Sequence, residues 1–138
     1  MLLLINFGAI FGVTIANAQD AGIDDARFAV LIEKLALSGA QQEKLKAMLA
    51  SYAANAGNVR KGLVKVQQDI QSANLARLSD DDVRRISREA GRLSAAHTES
   101  LLNTQRDFYA LLTGEQRRKY NKLRSEAVAQ QTGGLPDK

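Results

Sequence analysis

The chain has no cysteine, no tryptophan, one histidine and one proline. Without cysteine it has neither a disulfide framework nor thiol chemistry, so it must hold itself together by helix packing or by association. With His97 as its sole histidine it has no His-x-x-His or His-x-x-x-His pair, and the residue types on which nucleophilic and acid–base catalysis lean are scarce. Its Asp and Glu residues fall mainly at predicted helix starts or beside basic residues. No enzymatic activity and no cofactor are therefore expected. No stretch alternates as a strand does, and no Gly-rich phosphate loop is present, so the chain carries no ATP motif. Two further absences are local. Residues 1–19 contain no charged side chain, and no acid lies between Glu43 and Asp69.

The uncharged N-terminus includes a largely apolar run from Leu2 to Ile15, followed by Ala16-Asn17-Ala18. This reads as a secretory signal peptide over residues 1–18, cleaved after Ala18. The missing Lys or Arg before the apolar run departs from the usual pattern, and the competing reading is an uncleaved anchor. A run of ~15 residues is short against the ~20 that span a bilayer. The remainder divides into one domain, residues 19–132, and a flexible tail, residues 133–138. The net charge of +4 lies wholly after the signal. Export argues against nucleic acid as the partner and favours anionic membrane surfaces or acidic segments of unfolded proteins.

Helical periodicity runs through the domain. Phe28, Leu31, Ile32 and Leu35 mark a short first helix over Ala26–Leu35. A long second helix follows Ser38, in which Leu45, Leu49, Tyr52, Ala56, Val59, Leu63, Val66 and Ile70 form an unbroken stripe of alternating three- and four-residue steps. Gly57 and Gly62 sit inside this stretch, off the stripe, either as close-packing positions, as tolerated weak points or as a place where the helix bends. Gln71 to Leu78 reads as a connection. Ser79 then caps a third helix whose first turn carries Asp80, Asp81 and Asp82, acids suited to the positive helix end. Its stripe is Val83, Ile86, Ala90, Leu93, His97, Leu101, Thr104, Phe108 and Leu111. A fourth helix opens at Thr113 and turns Tyr120, Leu123 and Ala127 to one side. The fold class is all-α, with two long and two short helices in an elongated hairpin. Two short helices cannot cover both faces of so long a hairpin, so the spare apolar stripe must be covered by a second copy or left partly open.

Two of the helix starts share one pattern. Leu37-Ser38-Gly39-Ala40-Gln41 and Leu112-Thr113-Gly114-Glu115-Gln116 both read Leu-Ser/Thr-x-x-Gln. This is a capping box. The hydroxyl of Ser38 or Thr113 accepts the backbone N–H three residues on, and Gln41 or Gln116 reaches back to the N–H of the cap residue. With Phe108 and Tyr120 flanking the second copy, these stretches resemble the LTxxQ motifs of the Spy/CpxP family of small helical periplasmic proteins. The likeness runs from about Leu35 to about Leu123, with Ser38 standing where the motif has Thr. The resemblance implies that the hairpin is curved and pairs as an antiparallel homodimer, a thin cradle located in the periplasm. It also implies an ATP-independent chaperone that binds unfolded or misfolded envelope proteins. The alternative it carries is an envelope-stress or metal-responsive accessory that docks on the periplasmic domain of a sensor kinase.

The candidate client-binding residues are basic: Arg60, Lys61 and Lys65 on the second helix, and Arg85, Arg88 and Arg92 on the third. Their stems offer weak apolar contact, while their charges give long-range attraction. A solvated helix face is the plain alternative for each. The basic cluster from Arg117 to Arg124 reads as helix surface. For a metal, only His97, with Glu99 nearby, and Met48 come into question, whereas a zinc site wants three or four good ligands. A dimer could bring two copies of His97 together across a twofold axis, but a packed or solvent-edge histidine is the plainer reading, and no metal site is expected.

Overall fold

The computed structural model describes residues 25–132, with side chains from Phe28 to Ala129. The expected signal segment and tail lie outside the described residues. Four helices follow in order: α1, Asp25–Leu35; α2, Gly39–Ser72; α3, Asp80–Leu111; and α4, Gly114–Thr132. Among the described residues there is no strand, and the fold is all-α. The boundaries lie within two residues of those the sequence predicts, because capping fixes them locally. The chain divides into two compact units through which α2 and α3 both run. One comprises residues up to Leu49 and from Arg106 onward, the other Ala50–Gln105.

The first unit packs α1, the start of α2, the end of α3 and α4 around one core. Leu31, Leu35, Leu37, Leu45, Leu49, Phe108, Leu112 and Tyr120 are buried together. Burying each such leucine contributes ~1.5–3 kcal/mol. The Phe108 and Tyr120 rings meet edge to face, 5.3 Å apart at 81°. That geometry suits the ring quadrupoles and adds ~0.5–1.5 kcal/mol beyond area burial. The leucine leading each motif, Leu37 and Leu112, is part of this core, so each motif enters its helix from a fixed anchor. Just before Leu37, α1 is closed by Ala36, whose φ of 51° is left-handed. Ala36 N–H donates to the Glu33 carbonyl at 3.2 Å, and Leu37 N–H donates to the Ile32 carbonyl at 3.1 Å. This is the Schellman ending, here with alanine where glycine is usual.

The second unit is α2 against α3. Val59, Val66 and Leu93 form its centre, supported by Leu63, Ile86 and Ala90. Two stripe residues depart from expectation: Ile70 is 51% exposed and Val83 47%. A strict heptad stripe drifts by ~20° per heptad on a straight helix, so the positions furthest from the centre swing off the seam. The glycines also separate. A Cβ at Gly62 would lie 2.6 and 2.9 Å from the two methyl carbons of buried Leu93, whereas one at Gly57 meets nothing within 4 Å. Gly62 is thus the close-packing glycine, and Gly57 a weak point with no packing reason. Gly57→Ala should raise unfolding stability by up to ~1 kcal/mol through helix propensity. Gly62→Ala should instead lose ~1 kcal/mol net, because overpacking costs ~1–3 kcal/mol against the same gain. Denaturant melts of the two variants check this, and an equal gain for both would refute the close approach.

Candidate functional site

Each motif builds its box as its residues dictate. Gln41 N–H donates to Ser38 Oγ at 3.2 Å, and Ser38 N–H donates to Gln41 Oε1 at 2.9 Å. Gln116 N–H donates to Thr113 Oγ1 at 3.3 Å, and Thr113 N–H donates to Gln116 Oε1 at 2.9 Å. A third box, of the same form with a carboxylate, caps α3. Asp82 N–H donates to Ser79 Oγ, and Asp82 Oδ2 accepts the Ser79 N–H and hydroxyl. These Ser79 hydrogen bonds, helped by Arg85, hold the Asp82 carboxyl below the usual carboxylate range.

The sequence does not disclose that the two glutamines meet. Gln41 Nε2 donates to Gln116 Oε1 at 2.8 Å, and Gln116 Nε2 donates to Gln41 Oε1 at 3.1 Å. Each Nε2 also reaches the end of the helix before the other motif. Gln41 Nε2 donates to the Leu111 carbonyl at 2.8 Å, and Gln116 Nε2 to the Leu35 and Ala36 carbonyls at 3.1 and 3.3 Å. Every oxygen thus accepts from one cap and from the opposite amide, and every NH2 group donates across and to a helix end. Gln116 is buried, with 8% of its surface exposed, so these partners replace water. Arg117 completes the joint. Its guanidinium donates to the Tyr109 and Ala110 carbonyls and lies 5.1 Å from the Tyr109 ring centroid. Nearby, Tyr120 Oη is buried with no hydrogen-bond partner among the described residues. Burial pushes its pKa up.

The basic candidates lie in the second unit. A groove of about 800 Å³ is lined by the apolar Val66 and Ile86, by Lys65, Arg85, Arg88 and Arg92, and also by the acids Asp69, Asp81 and Glu89. Arg60 and Lys61 are not among its lining residues. Several of these cations are paired. Arg92 forms two hydrogen bonds to Glu89, at 2.7 and 2.9 Å. Arg85 lies 3.6 Å from Asp82 and 4.0 Å from Asp69, which Lys65 also approaches at 3.6 Å. These pairs are solvent-exposed and hold their partners weakly. Hydrogen bonding from Arg92, with the charges of Arg92 and Lys65, keeps the Glu89 carboxyl below its ordinary range. Arg60, Lys61 and Arg88 have no ion pair among the described residues.

His97 is buried in the seam of the second unit, its ring 6.1 Å from that of Tyr52. Burial holds its pKa below the usual histidine value. Among the described residues no three His, Asp or Glu side chains group as metal ligands.

Residues 23–124 match the family model described as LTXXQ motif family protein. The chain belongs to that family, the Spy/CpxP type. No curated protein and no solved structure matches it. Among the described residues no helix is long and apolar enough to cross a membrane.

Two measurements test this geometry. Ser38→Ala and Thr113→Ala should each cost ~1 kcal/mol. Gln41→Ala and Gln116→Ala should cost ~2 kcal/mol each, with a coupling of ~1 kcal/mol in the double-mutant cycle, and strict additivity would refute the joint. For His97 the folded-state pKa lies below the unfolded one, so the unfolded chain binds the proton more readily. Stability is then complete above the unfolded value, about 6.5, and falls as pH drops through it. Urea melts at about pH 7.5 and about pH 5.5 should show this loss in the parent chain and not in His97→Leu. Equal losses in both would place the titration elsewhere.

Proposed function

We propose that this chain is a periplasmic, ATP-independent chaperone that works as a homodimer, binds unfolded envelope proteins and limits their aggregation without catalysing a reaction. The observation that carries this reading is the second unit. It is two helices thick, and it leaves aliphatic side chains exposed on helices that also carry unpaired or weakly paired cations. Val64, Ile70, Leu75 and Leu102 are exposed by 52%, 51%, 82% and 57%. Lys61 is exposed and free of ion pairs among the described residues, and Lys65 has only a single weak pair.

Such a surface attracts a chain over long range through charge. It then holds the chain by weak, replaceable apolar contacts, without a nucleotide to reset it. The rigid part is the first unit, where the capped helix starts interlock. Membership of the LTXXQ family supports the periplasmic setting.

The direct assay is aggregation of a denatured test protein in the absence of nucleotide. Near-stoichiometric chain should suppress light scattering, and scattering unchanged at excess would refute the proposal. Lys61→Glu combined with Lys65→Glu should slow capture by about tenfold at low salt while leaving helicity intact. Unaltered capture would move client binding away from α2.

A further inference from the structure

One short helix carries most of the chain's net charge. α4 has Arg117, Arg118, Lys119, Lys122 and Arg124 within eight residues, against Glu115 and Glu126, a balance of +3 in a chain of +4. Its apolar side is already used. Gln116 and Tyr120 are buried, and Leu123 and Ala127 are half-buried on the same side. Arg118, Lys122 and Ser125 lie on the opposite side and are exposed.

Local acids neutralise little of this charge. Lys119 reaches Glu115 at 3.0 Å, while Lys122 and Glu126 stand 4.0 Å apart with both side chains more than half exposed. Lys119, and more weakly the charge of Arg118, hold the Glu115 carboxyl below its ordinary range. Arg117, Arg118 and Arg124 form no ion pair among the described residues. Two of these three have uncharged partners. Arg117 donates to the Tyr109 and Ala110 carbonyls, and the Arg124 guanidinium lies 6.0 Å from the Tyr120 ring centroid. Neither contact cancels a charge. The cations of α4 thus stand on a helix whose start is interlocked with the core of the first unit, and most of their charge is unspent.

We propose that this face of α4 binds the phosphates of an anionic phospholipid surface and so holds the first unit against a membrane. It is a different surface from α2, to which the chaperone reading assigns clients. Side chains on the outside of a helix diverge, so this face is convex and encloses nothing. An unfolded chain needs apolar contact as well as charge, and α4 has given its apolar side to the core. A folded acidic partner must set a carboxylate opposite each diverging cation. A lipid surface instead supplies phosphates that move in its plane and meet each cation where it stands. Guanidinium groups match phosphate oxygens two at a time. Attraction of this kind adds up over the basic residues near the surface and fades over a Debye length, about 8 Å at physiological salt. The helix lies on the surface and does not enter it, because Arg118, Lys122 and Ser125 offer no apolar side chain to insert.

The chain that cleavage after Ala18 leaves contains every described residue, and its sedimentation with vesicles tests the proposal. Vesicles of phosphatidylethanolamine and phosphatidylglycerol should carry it down, and vesicles of phosphatidylcholine alone should not. Raising salt from ~0.05 M to ~0.5 M should release it. Arg118→Gln with Lys122→Gln should weaken binding by about tenfold, with helicity and melting unchanged. The charge-preserving exchange, Arg118→Lys with Lys122→Arg, should bind as the parent does. Lys61→Glu with Lys65→Glu on α2 should leave vesicle binding as it was. Binding that ignores lipid charge, or that survives the loss of Arg118 and Lys122, overturns the proposal. Displacement from the vesicles by soluble polyglutamate at equal anion concentration overturns it too, and makes the partner an acidic polypeptide. A chain that never binds vesicles yet suppresses aggregation leaves the chaperone reading standing without this face. One that binds anionic vesicles through α4 and suppresses nothing does the reverse.

Discussion

A glutamine side chain enclosed by protein must find partners for one oxygen and two N–H groups, and each group left bare costs ~1–3 kcal/mol. Gln41 and Gln116 meet this demand by facing each other. Each oxygen serves its own helix cap and the opposite amide, and each NH2 serves the opposite oxygen and a helix end. Only this orientation places an acceptor before every donor. Separating the two helix starts would strand both NH2 groups and leave the Leu35, Ala36 and Leu111 carbonyls without their donors, while each capping box stays closed within its own motif. The joint is therefore held more firmly than either capping box alone, and the leucines leading into it are fixed in the same core.

Where that joint ends, the support changes. The second unit has no such amide pair, only an exposed Asn55–Ser100 hydrogen bond between its helices, and no third helix of its own; its seam rests on Val59, Val66 and Leu93 with Gly62 admitting close approach. Exposed aliphatics follow from that economy, because two helices have more apolar edge than they can bury against each other. Interlocking hydrogen bonds are concentrated where the motifs lie, and exposed apolar side chains where they are absent. The proposed holding function would draw on both: a scaffold that does not melt when it meets unfolded chains, and a face left free to meet them.

Much of the fold was legible because its causes are local. Ser38, Ser79 and Thr113 name helix starts, since a cap oxygen needs only the next three residues to act. The stripe from Leu45 to Val66 names a buried edge by spacing alone. What escaped depends on residues far apart in sequence. The Gln41–Gln116 pair joins positions 75 apart, and Arg85 meets Asp69 across a turn. One signal for the pair was present. A capping box uses only the oxygen of its glutamine, so the NH2 group beside an inward-turning leucine was unaccounted for twice. Ile70 and Val83 were misjudged as buried because a repeat counts residues and not the drift of the helix beneath it. Gly62 and Gly57 look alike in sequence and differ only through Leu93.

The central claim is that the paired amides lock the first unit, and hydrogen exchange of the side-chain amide protons reads it directly. In the intact chain at neutral pH, the NH2 protons of Gln41 and Gln116 should exchange slowly and together. Their rate should follow the opening of the core around Phe108 and Tyr120. If both exchange as fast as the amides of exposed Gln67 and Gln68, the two glutamines are solvated and the lock does not exist.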